Sequence, residues 1–100
     1  MNIAMTHQDD ILTVRFDGAL DYSSTTRMED LLTDLGAIKA AKVVFDLAQV
    51  ARVDSVGLGL LHMAKDDIVK LGARLVLRGA NGTVRRLFEL TDCAHVFDIE

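Results

Sequence analysis

Along the chain the apolar positions switch repeatedly between a spacing of two and a spacing near 3.6, the mark of a domain in which strands and helices alternate. From Ile11 to Phe16, the residues Leu12, Val14 and Phe16 alternate with Ile11, Thr13 and Arg15. This predicts a half-buried strand, and Gly18 allows a turn after it. Ile3 to Met5 is expected to pair with it as a short first strand, with Gln8, Asp9 and Asp10 as the polar turn. Met28, Leu31, Leu32, Leu35 and Ile38 then recur at helical spacing, while Arg27, Glu29, Asp30 and Asp34 fill the other face. The stretch Tyr22-Ser23-Ser24-Thr25-Thr26 is rich in N-cap residues, and Thr26 with Glu29 also satisfies a capping box, so more than one helix start is open. Gly36 is expected to end the regular part of this helix.

Val43 to Leu47 is a short apolar run rich in β-branched and aromatic residues, which predicts a strand buried on both faces. Val56 to Leu71 places Leu60, Leu61, Ala64, Ile68 and Leu71 on one helical face and stops at Gly72. Leu75-Val76-Leu77 is the next buried strand, and Val84, Leu87, Phe88 and Thr91 mark a third helix capped by Asn81. A strand, a helix and a strand joined by short loops form a βαβ unit with parallel strands and a right-handed crossover. The predicted class is therefore α/β, a mixed sheet of four to five strands with helices packed on it, in one domain over residues 1–100. In such sheets functional loops gather where the strands end and the helix N-termini point. Asp54 and Ser55 fall there, between the strand ending at Leu47 and the helix beginning near Val56.

The composition excludes several classes. Of 100 residues, 50% are hydrophobic and 26% charged, with 7 Gly and no Pro or Trp, far from the polar, highly charged signature of disorder. Fifteen acidic against eleven basic residues give a net charge of −4. No basic face is evident for displacing counterions from phosphates, so a nucleic-acid partner is not expected. The single Cys93 permits no intramolecular disulfide and fits a reducing compartment, where a buried neutral thiol is the ordinary state. No apolar run is long enough to span a bilayer, so membrane insertion is not expected, and Met1 to Asp10 lacks the basic and apolar regions of a signal peptide. A cytoplasmic location follows as an expectation.

The most informative stretch is Val53-Asp54-Ser55-Val56-Gly57-Leu58-Gly59-Leu60. Ser55 is the natural N-cap of the second helix, its hydroxyl accepting from a free backbone N–H. Gly57 and Gly59 resist so plain an account, because a helical glycine costs about 1 kcal/mol relative to alanine. Their presence points to a close backbone approach or a bare surface. A dinucleotide loop would want a third glycine where His62 stands, and no Gly-Lys-Ser or Gly-Lys-Thr follows for a P-loop; no cofactor is expected. A phosphate carried covalently on Ser55 fits better, since a helix N-terminus stabilises the roughly −1.5 to −2 charges of a phosphoserine. Beside Asp54 it would form an anionic knob on an otherwise apolar, glycine-smoothed surface.

Leu20-Asp21, Val44-Phe45-Asp46-Leu47, Val53-Asp54-Ser55-Val56-Gly57-Leu58-Gly59, Gly72-Ala73-Arg74-Leu75-Val76-Leu77 and Val84-Arg85-Arg86-Leu87-Phe88-Glu89-Leu90-Thr91 follow one another in the order and spacing of a STAS domain. More narrowly, the chain resembles the stand-alone anti-sigma factor antagonists of bacteria. The resemblance implies a switch rather than an enzyme. The unphosphorylated domain would bind an anti-sigma factor that is also a serine kinase of the histidine-kinase-like ATPase fold. Phosphorylation of Ser55 would block binding, and a serine phosphatase would reset it. The same resemblance marks Asp21, Asp54, Ser55, Val56, Gly57, Leu58 and Gly59 as partner-binding positions. The alternative is a constitutive STAS subunit of a lipid-trafficking membrane ABC transporter.

Two departures from the family pattern stand out. Val56 occupies a place where a second Ser or Thr is common, and Asp92-Cys93-Ala94 stands where many members have Gly-Leu. Competing sites are not supported by spacing. His7, His62 and His95 lie in different segments without a ligand pair. Asp66 and Asp67, with Lys65 and Lys70, read as a solvated helix face, as do Arg85 and Arg86.

Overall fold

The computed structural model describes every residue except Asp92 and the side chain of Ala94, so that part of the departure noted above lies outside the described residues. Its elements are β1 (Asn2–Gln8), β2 (Ile11–Leu20), a 3-10 turn (Tyr22–Ser24), α1 (Thr25–Leu35), β3 (Lys42–Val53), α2 (Ser55–Lys70), β4 (Arg74–Arg78), α3 (Gly82–Leu90), α4 (Cys93–Val96) and β5 (Asp98–Ile99). The five strands lie in the order β1-β2-β3-β4-β5. β1 runs antiparallel to β2, and the remaining neighbours are parallel. The strand–helix–strand unit expected around α2 is present, and β2-α1-β3 repeats it.

Register explains the core. Leu12, Val43 and Leu75 stand in one row across the sheet, and Val14, Phe45 and Leu77 in another. These rows join Met28, Leu31 and Leu35 of α1, Leu61, Ala64 and Ile68 of α2, and Val84 and Phe88 of α3 in one buried cluster. Phe16 and Phe45 meet edge to face within it, ring centroids 4.9 Å apart. Val44 and Val76 belong to the opposite face and are buried as well. Val76 lies between Arg74 and Arg78, which pair with Asp98 and Asp46. The expectation of a strand closed on both faces therefore holds for β3.

Several boundaries differ from those expected. β3 runs to Val53 rather than ending at Leu47, because β3 takes one extra residue between Arg15 and Asp17 of β2 and another between Gly18 and Ala19. Each bulge resets which side chains point inward, so Leu47, Val50 and Val53 follow at intervals of three and the period-two pattern disappears. Gly18, with φ +119°, sits at this irregularity inside β2 and not in a turn. β1 is longer than Ile3 to Met5, and Asp9 and Asp10 alone make the turn. α1 starts at Thr25, after a 3-10 turn capped by Asp21, so neither Thr26 nor Glu29 has a capping role. Asn81 holds the cap position of α3 without a side-chain cap bond, donating instead from Nδ2 to the Ala48 carbonyl at 3.4 Å. α4 and β5 have no counterpart in the sequence reading, being too short to show a period. Cys93 is buried as expected, and Phe97, which follows α4, also enters the core.

Candidate functional site at the N-terminus of the second helix

The two bulges bring the end of β3 level with the end of β2, where Leu20 and Val53 are register partners. The chain then turns directly into α2. Asp54 has an extended backbone, donates its N–H to the Leu20 carbonyl at 3.3 Å, and accepts from the Gly57 N–H through Oδ1 at 2.8 Å. The Asp54 carbonyl accepts from the Leu58 N–H at 2.8 Å. Asp54, not Ser55, is therefore the N-cap. The correction matters chemically, because the capping duty expected of Ser55 is already met by its neighbour. Ser55 is the first residue of the helix, exposed, and its hydroxyl makes no hydrogen bond to any described residue.

The two glycines have different reasons. A β-carbon on Gly57 would lie 1.9 Å from the Leu20 carbonyl oxygen and 2.6 Å from its carbon. The first turn of α2 is seated directly on the end of β2. Gly57 is buried against Leu20. Gly59 is exposed, and a β-carbon there would meet nothing within 4 Å. It leaves the helix surface bare. Val56 is 45% exposed, and Leu58 is half-buried against the core.

The adjoining 3-10 turn packs against the start of α2. Asp21 organises it. Its Oδ1 accepts from the Ser23 hydroxyl at 2.5 Å and the Ser23 N–H at 3.0 Å, while Oδ2 accepts from Arg52 at 2.7 Å. Ser24 completes the capping box by accepting from the Asp21 N–H at 3.3 Å, and it donates to the Ala19 carbonyl at 3.0 Å. The Asp21 side chain is only 7% exposed. Its carboxylate is turned into the protein and bonded to Ser23 and Arg52. The turn instead presents Tyr22, 75% exposed, and the outer side of Arg52. Neither residue stands out in the sequence, because only the β2–β3 register and the 3-10 turn bring them beside Ser55. The isolated aromatic within a run of small hydroxyl residues was the one available signal for Tyr22.

The Ser23 hydroxyl holds the Asp21 carboxyl below its ordinary value of 3.8; burial opposes the shift, and the Ser23 N–H and Arg52 reinforce it. A carboxyl with a lowered folded-state pKa stabilises the fold fully above its unfolded value and loses that contribution as the pH falls through the folded one. Asp21→Asn is therefore expected to melt below the parent near pH 7, with the gap narrowing as the pH falls below 3.8. Thermal unfolding of both proteins across that range checks it.

The exposed residues of the site include Tyr22, Ser55, Val56 and Gly59. A groove of about 490 Å³ lies elsewhere, lined by Leu35, Ile38, Ile68 and Leu71 at the other ends of α1 and α2. None of the site residues lines that groove, and an exposed aromatic with small and apolar neighbours suits a macromolecular surface. No helix among the described residues is long and apolar enough to cross a membrane.

Comparison with known proteins identifies the family and the fold. The family model described as the STAS domain matches residues 2–100. The anti-sigma-B factor antagonist of Staphylococcus aureus is 30% identical over 99 residues, covering 96% of this chain and 92% of the relative. An anti-sigma factor antagonist from Mycobacterium paratuberculosis superposes with a TM-score of 0.83 at 23% identity, covering 98% of this chain and 83% of that one. The Bacillus cell fate determinant SpoIIAA in its phosphorylated form superposes with a TM-score of 0.72 at 14% identity, covering 99% and 91%. Matched by the STAS domain model over residues 2–100 and by a 30% identical relative over nearly its whole length, this chain belongs to the STAS domain family, among the anti-sigma factor antagonists.

Proposed function

We propose that this protein is a phosphorylation-switched anti-sigma factor antagonist whose switch is Ser55. In this reading the unphosphorylated chain docks an anti-sigma factor through Tyr22, Ser55, Val56 and Gly59, with Leu58 beneath them. The partner is a serine kinase of the histidine-kinase-like ATPase fold. It transfers the γ-phosphoryl group of ATP to the Ser55 oxygen, releasing ADP and the hydroxyl proton; the complex separates, and a serine phosphatase hydrolyses the ester with water, restoring the hydroxyl and releasing inorganic phosphate.

One observation carries the reading: the Ser55 hydroxyl is exposed and unbonded while Asp54 caps the helix. A phosphate can therefore be added without breaking any bond that holds the fold. The Ser55 and Val56 N–H groups, in the unpaired first turn of a 16-residue helix, offer it donors and the positive end of the macrodipole. The added charge then falls entirely on the docking surface.

Incubation with the cognate kinase and ATP is expected to add one phosphate to the parent chain and none to Ser55→Ala, as read by intact mass. A gain that persists in Ser55→Ala would overturn the assignment. Stable co-purification with membrane ATPase subunits, whatever the residue at 55, would favour a constitutive transporter subunit instead.

A further inference from the structure

The two edges of the sheet are built differently. At one edge β5 has only two residues, and its Asp98 is tied to Arg74 at 2.7 Å. Short length and charge are the usual protections of an edge. At the other edge β1 has seven residues, Asn-Ile-Ala-Met-Thr-His-Gln, with no Lys, Arg, Asp, Glu or Pro, and its register against β2 is unbroken. None of those protections is present.

The turn determines which backbone groups are free. Gln8 and Ile11 pair across a two-residue turn, so they are a hydrogen-bonded pair. Alternation along the ladder makes Thr6, Ala4 and Asn2 bond to β2 in the same way. Ile3, Met5 and His7 then direct their N–H and C=O groups away from the sheet. No described residue outside the strands hydrogen-bonds to them. Their side chains share the face of their partners Phe16, Val14 and Leu12, and Met5 is 43% exposed there.

We propose that β1 pairs antiparallel with β1 of a second copy of this chain, about a two-fold axis through Met5. The strand is its own complement in the register that overlaps its whole length. Met5 faces Met5 and Ile3 faces His7, so every outward donor meets an outward acceptor. On the other face Ala4 meets Thr6 and Asn2 meets Gln8. Although the molecule carries a net charge of −4, no carboxylate or ammonium side chain of β1 opposes another across this seam. An acidic or basic peptide would find no charge partner on β1, whereas a second copy loses nothing by the neutrality. The two sheets become one continuous sheet, and the exposed Met5 side chains cover each other. β2 separates this edge from β3, so each copy keeps its Ser55 surface open and the pair presents two of them.

Sedimentation equilibrium from micromolar to millimolar concentration tests the proposal. The parent chain is expected to form a concentration-dependent dimer. Met5→Lys, which sets two like charges together at the axis, is expected to weaken that dimer at least tenfold while circular dichroism and the melting midpoint stay close to the parent. Met5→Cys supplies a readout that does not depend on the lysine variant folding. Opposed residues in such a pair have Cα atoms about 5.5 Å apart, within disulfide range, so oxidation should trap a covalent dimer. The buried Cys93 leaves the parent uncross-linked in the same conditions. A parent that stays monomeric at every concentration, a dimer indifferent to Met5→Lys, or a dimer that Met5→Cys does not trap would each overturn the proposal.

Discussion

Replacing Gly57 by alanine is expected to lower the unfolding midpoint by more than about 12 °C. Alanine would gain about 1 kcal/mol of helix propensity at an open position. Here its β-carbon would enter the Leu20 carbonyl at 1.9 Å. The obstacle is backbone, so no side-chain rotation relieves it; α2 must lift from β2, or the end of β2 must shift. Overpacking of a rigid core costs about 1 to 3 kcal/mol and sometimes more, and this contact belongs at the upper end. At about 4–8 °C per kcal/mol for a domain of this size, a net loss of about 3 kcal/mol gives the stated fall. Gly59→Ala is the control. It meets nothing within 4 Å, so the midpoint should hold or rise slightly. If Gly57→Ala melts with the parent, the seating of α2 on β2 is not as described. If Gly59→Ala instead weakens partner binding without a loss of stability, the bare helix surface is part of the interface.

The second large effect separates binding from folding in the opposite sense. Ser55→Glu is expected to weaken binding to the anti-sigma partner by about 100-fold or more, roughly 2.7 kcal/mol, measured by calorimetry. The same variant should melt within about 4 °C of the parent, because exposed substitutions usually change stability by less than about 0.5 kcal/mol and an acidic group is welcome in a first helical turn. The cause is local. A carboxylate beside Asp54, among Tyr22, Val56 and Gly59 and with the nearby Arg52 already paired to Asp21, must be desolvated or must face like charge when the partner docks. Ser55→Ala, which adds no charge, should retain parental affinity and lose only its regulation. Equal affinity for Ser55→Glu and the parent would remove the electrostatic basis of the proposed switch.

Much of this architecture is legible in the pattern of residues. Alternation at Leu12, Val14 and Phe16 marks β2, helical spacing at Leu60, Leu61, Ala64 and Ile68 marks α2, and both persist because each element buries one regular face. The boundary of β3 has a particular cause. Bulges in β3 break the period that strand recognition depends on, so Ala48 to Val53 does not resemble a strand although it is one. α4 and β5 are held by Cys93, Phe97 and the pairing of Leu77 with Ile99, all long-range contacts with no local signature.

The site divides along the same line. That something unusual happens between Asp54 and Gly59 is visible from the chain itself, since two glycines opening a helix contradict local propensity and so require an outside reason. The sequence by itself also determined the helix-and-strand alternation, the acidic balance and the presence of a hydroxyl at position 55. Tertiary structure alone decided how those residues divide the work. The cap went to Asp54, the hydroxyl of Ser55 was left free, the carboxylate of Asp21 was drawn inward by Ser23 and Arg52, and Gly57 was committed to Leu20 while Gly59 stayed open. Each outcome depends on where the end of β2 stands relative to the start of α2. That distance is set by two bulges in another strand, and no local pattern encodes it.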